Sequence, residues 1–385
     1  MGAPAHARAA GARRSAPSPA SVFLKLAAAG SVLALLVAAI AGGLLRAGVA
    51  PPLAEGATWL PAAVAQHAAL MICGFLGTMI ALERAVAIHA RIALGVPAAS
   101  ALGGWLLLQG HTAAGSWLLV AAACGFLALH VVILRRQFAD HTIALALGAL
   151  AWLAGNLEFA LGIGRAAPLP WWFAFLVVTI AAERLEMSRL VERGPAAQPA
   201  LYAILLVMGI GAARFGASPA EGGLAFGIAL TLLAAWLLVY DIARRTVRAP
   251  GLPRYIAICM LAGHAWLAVA GLAWIAMAFG VAARDIALHA LGLGFVFGMV
   301  MGHAPVIVPA LTRVKLRFGP VFYLPMAVLH VTLVVRLGLG LADPSWRSIG
   351  AAGNGIAIGL FAAVVAASSL DHALRWLKGL RATKA

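Results

Sequence analysis

Charge is what this chain has least of. Asp, Glu, Lys and Arg make up 10% of its 385 residues, against 64% hydrophobic ones. A water-soluble domain carries about 25% charged residues, because a folded surface needs a polar shell. A soluble enzyme is therefore excluded, and so is a disordered chain. Cysteine is also scarce: Cys73, Cys124 and Cys259 stand singly in apolar runs, with no CxxC pair and no metal-type spacing. They read as small buried hydrophobes. A glycine-rich phosphate loop and a nucleophile elbow are both missing, which argues against nucleotide chemistry.

Long apolar runs are what the chain does have, and its mean hydropathy is +0.99. A helix of about 20 apolar residues crosses a bilayer. Twelve such windows fit, near 22–46, 62–88, 93–110, 114–134, 142–162, 170–188, 199–215, 222–243, 254–280, 285–311, 319–341 and 346–370. The expected fold is an all-α, polytopic membrane bundle. It comprises a disordered cytoplasmic tail over 1–20, a transmembrane helical domain over 21–372 and a basic cytoplasmic tail over 373–385. The stretch at 22–46 is too long for the apolar core of a cleaved signal peptide.

The basic residues orient the bundle. Counted from an inside start, 22 of the Lys and Arg residues fall in the tails and even-numbered links, and five in the odd-numbered links. By the positive-inside rule both termini are cytoplasmic. The net charge of +16 then belongs to a lipid bilayer partner, and nucleic acid is not implied.

Two five-residue segments hint at a repeat. The second window ends Ile80-Ala81-Leu82-Glu83-Arg84 and the sixth ends Ile180-Ala181-Ala182-Glu183-Arg184. Both place a Glu-Arg pair at the cytoplasmic end. A common origin implies three units of four helices about a pseudo-threefold axis, with the second, sixth and tenth helices equivalent. The other reading is two pairs that reach separately to the headgroups.

Histidine is the residue that carries chemistry here, since ligand-grade groups inside a membrane are costly to bury. His67, His264, His289, His303 and His330 lie within spans. His67 and His289 sit about 6–8 Å below the outer surface at 1.5 Å per residue, on helices running the same way. A depth-matched pair of neutral imidazoles suits one iron held from opposite faces. His303 follows His289 by about 21 Å along the helix, within roughly 40° of the same face. With His264 and His330 it occupies the inner half of the membrane, and three imidazoles suit a copper or zinc site. Separate interhelical hydrogen bonds are the alternative. Gly294, Gly298 and Gly302 repeat GxxxG, which means either close helix packing or a bare surface for a flat macrocycle. Arg336 is the one charge deep in a span. It suits a haem propionate, a substrate anion, or an outward reach to the interface.

Twelve helices, a possible repeat of four helices, and histidines in the second and tenth helices resemble subunit I of the haem-copper oxidases. The chain is more similar to their smaller relatives, the NnrS-type haem- and copper-containing membrane proteins linked to nitric oxide stress. That resemblance implies a low-spin haem held by His67 and His289 near the outer surface. It implies a redox or nitric oxide response in a bacterial inner membrane, with an electron donor or a gaseous ligand such as NO as partner. The sixth helix lacks a histidine and the seventh lacks a His-His pair, so oxygen reduction is not implied. A twelve-helix secondary transporter for a small solute or metal is the alternative function.

Overall fold

A computed structural model describes residues 19–51, 56–189, 191–312 and 314–382. The protein is 83% helical with no strand among the described residues. It has 12 helices long and apolar enough to cross a membrane. They are α1 (Pro19–Arg46), α2 (His67–Ile88), α3 (Arg91–Leu108), α4 (Thr112–Arg136), α5 (Asp140–Leu161) and α6 (Pro168–Met187). The second half holds α7 (Ala197–Phe215), α8 (Pro219–Tyr240), α9 (Leu252–Ala278), α10 (Arg284–Ala310), α11 (Pro320–Leu341) and α12 (Pro344–Ala382). All twelve expected windows are helices. Proline opens α6 and α8 within the first turn, where its missing N–H costs nothing.

The expected disordered tail lies outside the described residues except for Pro19 and Ala20, which already belong to α1. At the other end the backbone stays helical through Ala382, so the segment expected as a basic tail continues α12.

Each helix packs on the next one in sequence, and α12 returns to α1. The helix α6 is the most enclosed, with 89% of its apolar window buried, and it touches α10 directly. An Arg84–Glu183 ion pair joins α2 to α6. The sixth helix thus meets the second through that ion pair and the tenth by direct packing. The Glu-Arg endings do not reach separately to the headgroups, because Arg84 binds Glu183 and Arg184 binds Asp241.

Within α2 and α10 the winding changes. A π-helical stretch covers Leu70–Gly77 in α2 and Ala290–Phe297 in α10, in each case eight residues long and beginning within three residues of His67 or His289. Such insertions widen the helix and re-aim the side chains beyond them, and they collect at functional sites. The expected alignment of His303 below His289 assumed uniform α-helical winding, which α10 does not have. Among the cysteines, Cys73 and Cys259 are buried as expected, whereas Cys124 is exposed on α4.

Candidate functional site

At the face opposite the basic loops, His67 and His289 open the two π-wound helices. The His67 ring lies against bare backbone, for a Cβ on Gly43 of α1 would fall 2.5 Å from its Cε1. Its Nδ1 stands 2.7 Å from the Ala39 carbonyl oxygen. A carbonyl only accepts, so Nδ1 carries the proton and Nε2 keeps a free lone pair.

His289 reaches the same state by another route. Its Nδ1 is 2.8 Å from Asp285 Oδ1, one turn earlier on α10. The same nitrogen is 3.1 Å from the Asp285 backbone oxygen. Again Nδ1 donates and Nε2 accepts, and Arg336 Nη2 stands 3.1 Å from that Nε2.

Arg336 comes from α11 and is 9% exposed at its side chain. It forks onto Asp285, with Nε donating to Oδ2 at 3.1 Å and Nη2 to Oδ1 at 2.9 Å. Gly350 of α12 makes the space, since a Cβ there would meet Arg336 Cβ at 2.5 Å. Arg347 adds a second cation 3.9 Å from Asp285 Oδ2. The structure therefore joins two expected residues, His289 and Arg336, through Asp285, while the third, His67, stands against α1. Sequence reasoning overlooked Asp285, although its position four residues before His289 is the helical spacing that brings side chains together.

The inner histidines are not gathered in the same way. His264 is wholly buried, with Nε2 3.5 Å from Asp241 Oδ2. His303 donates from Nδ1 to the Met299 carbonyl at 2.9 Å on its own helix. His330 accepts at Nδ1 from Trp266 Nε1 at 3.0 Å. Indole nitrogen only donates, so His330 carries its proton on Nε2 and offers no lone pair there to a metal. Among the described residues no group of three His, Cys, Asp or Glu is placed to hold a metal ion. The expected copper site of His264, His303 and His330 is corrected accordingly: similar depth did not bring a shared azimuth.

The glycine repeat on α10 is helix packing. A Cβ on Gly294 would run into the Trp266 ring of α9, and one on Gly302 would meet Met260 and Cys259 at 2.7 and 2.9 Å. Of the two readings, close packing against α9 holds at Gly294 and Gly302, while a Cβ on Gly298 would meet nothing nearer than 3.9 Å.

Beneath the inner histidines, Arg184 and Asp241 form a closed pair, 5% and 0% exposed at the side chain. Arg184 Nε and Nη2 donate at 2.8 and 2.7 Å, and the Ala243 amide adds a bond at 2.8 Å. Burial pushes the Asp241 carboxyl up, but the Arg184 fork outweighs it and holds the group below the usual carboxylate range.

A family model described as a domain of unknown function, DUF8744, matches residues 24–370, and the chain belongs to that family. No curated protein and no solved structure matches it.

Proposed function

We propose that this protein is a haem-binding integral membrane protein that acts in redox or nitric oxide response, with His67 and His289 as the haem ligands. One observation carries the reading: both imidazoles commit Nδ1 to a fixed acceptor, which leaves Nε2 as the lone-pair nitrogen, met by Arg336 on His289. Ligating histidines are held in this way, by a carbonyl or carboxylate that sets the tautomer and raises basicity. The donor set fits a metal macrocycle that takes two neutral imidazoles. A haem bound there supplies one-electron redox chemistry.

This chain's own residues supply the rest. Asp285 orients His289, and the Ala39 carbonyl orients His67. The cations Arg46, Arg336 and Arg347 suit anionic groups at the edge of a haem. Arg336 now donates to His289 Nε2, so it must release that nitrogen for the iron and can turn its fork toward a carboxylate. The positive-inside bias supports a non-cytoplasmic position for these residues, which in a bacterial inner membrane would suit an electron donor or a gaseous partner.

A secondary transporter is the second reading. It is favoured by the matched π-helical interruptions of α2 and α10, since broken helices in corresponding positions mark transport sites.

Visible absorption of detergent-purified protein, with and without dithionite, separates the two. Haem absorption that changes on reduction, and is lost in His67→Ala and His289→Ala, supports the first reading. Protein that takes up no haem even when haem is supplied during expression overturns it.

A further inference from the structure

At the basic face the ends of α6 and α8 enclose a cup of about 520 Å³. Its walls include Glu192, Tyr240, Asp241, Arg244, Arg245 and Arg248. The volume falls in the range of small-molecule sites, about 300–1,000 Å³. Its lining is unusual for a loop in one respect: three arginines line it, and one of its two acids, Asp241, is already committed to Arg184.

The floor is rigid. Asp241 is consumed by the Arg184 fork and the Ala243 amide. The Ile242 amide donates to Ser188 Oγ at 3.0 Å, tying the α8 end to the α6 end. Outside the lining, Arg193 donates to the Leu185 and Ser188 carbonyls and lies 5.6 Å over the Trp236 ring.

On this floor a single helical turn, Ala243–Thr246, presents Arg244 and Arg245, with Arg248 just beyond. Arg248 follows the others by three and four residues, so the three cations crowd one another at a cost. Arg244 donates to the Val239 carbonyl at 3.0 Å. The guanidinium groups of Arg245 and Arg248 have no hydrogen bond or ion pair among the described residues. Glu192 is the one acid in the cup besides the committed Asp241. Membrane orientation explains how many arginines lie on this face. It does not explain why three of them, all exposed, line one cavity.

We infer that this cup binds a phosphate-bearing anion, with Arg245 and Arg248 as its principal ligands. Guanidinium forks match phosphate oxygens in pairs and give charge-assisted hydrogen bonds. The cup lies level with the end of α8 at Tyr240 and the start of α9 at Leu252, which is headgroup depth for a spanning helix. Basic pockets at that depth hold anionic lipid headgroups, and a soluble phosphate offers the same chemistry. The inference does not depend on haem binding.

The test uses the full chain in a neutral detergent. Its thermal unfolding is followed while phosphatidylglycerol, phosphatidylcholine or inorganic phosphate is added at constant ionic strength. The wild type should gain stability saturably with phosphatidylglycerol and not with phosphatidylcholine. In Arg245→Gln/Arg248→Gln the half-saturating concentration should rise about tenfold or more, as two charge-assisted forks are lost. Arg135→Gln/Arg136→Gln removes the same charge at the same face, away from the cup, and should respond as wild type does. Saturation by inorganic phosphate at a similar concentration, with the same loss in the cup variant, supports the site with a soluble ligand. An equal response in wild type and cup variant, or an equal loss in the α4 variant, leaves only diffuse charge attraction and overturns the inference. If the double variant does not yield monodisperse protein, Arg248→Gln alone is read by the same criteria.

Discussion

Asp285 Oδ1 lies 2.8 Å from His289 Nδ1 and 2.9 Å from Arg336 Nη2, so one carboxylate both orients the imidazole and holds the guanidinium that caps it. Losing the carboxylate would free the ring and strand the cation together. The arrangement ties the chemistry of α10 to the position of α11.

Asp285→Ala should lower stability by about 2–3 kcal/mol, because Arg336 is left nearly buried without its partner. Asp285→Asn keeps one acceptor and should lose less. Apparent unfolding midpoints in detergent measure both, and equal midpoints for Asp285→Ala and wild type would contradict the ion-pair reading.

His67→Ala and His330→Ala should differ sharply. The first removes a lone pair at the outer cluster and should abolish haem absorption. The second removes a ring whose Nδ1 is occupied by Trp266, and should leave the reduced spectrum unchanged. Matching spectra for the two variants would show that His67 has no special role.

Gly43→Ala acts on the same site without replacing a proposed ligand. The added methyl would fall on the His67 ring, pushing it off the Ala39 carbonyl. The expected result is partial loss of haem with the protein still folded, read as a lower haem-to-protein ratio. Gly294→Ala would run into the Trp266 ring and should cost about 1–3 kcal/mol as overpacking.

The Arg184–Asp241 pair predicts a pH effect. Asp241 is held below its ordinary value, so its contribution is fully present above the unfolded carboxylate value, about 3.9. That contribution is lost as pH falls through the lower folded value. Asp241→Asn should be less stable than wild type at neutral pH, and the gap should narrow on acidification toward about pH 3. A gap that stays constant over that range would show that the carboxylate charge contributes nothing.

The twelve spans and the sidedness of the arginines were legible in the chain because both depend on composition along one dimension. Hydropathy over about 20 residues decides burial in lipid, whatever the neighbours are. Depth was legible for the same reason, and it brought His67 and His289 to one end of α2 and α10.

Azimuth was not legible. The π-wound stretches at Leu70–Gly77 and Ala290–Phe297 shift every later residue around the helix axis, and nothing in periodicity announces them. His303 donates to its own Met299 carbonyl and His330 accepts from Trp266, and among the described residues the inner histidines form no metal-holding group. The partners of the charges were also a tertiary matter. Arg336 found Asp285 and Arg184 found Asp241 because a cation inside a membrane must be paired, but only the packing of α10 on α11 and of α6 on α8 decided with what. The sequence alone determined that this is a twelve-helix membrane protein with histidines at functional depth. The tertiary structure decided which partner each of them meets, Ala39 for His67, Asp285 and Arg336 for His289 and Trp266 for His330, since helix rotation is set by contacts between side chains far apart in the chain.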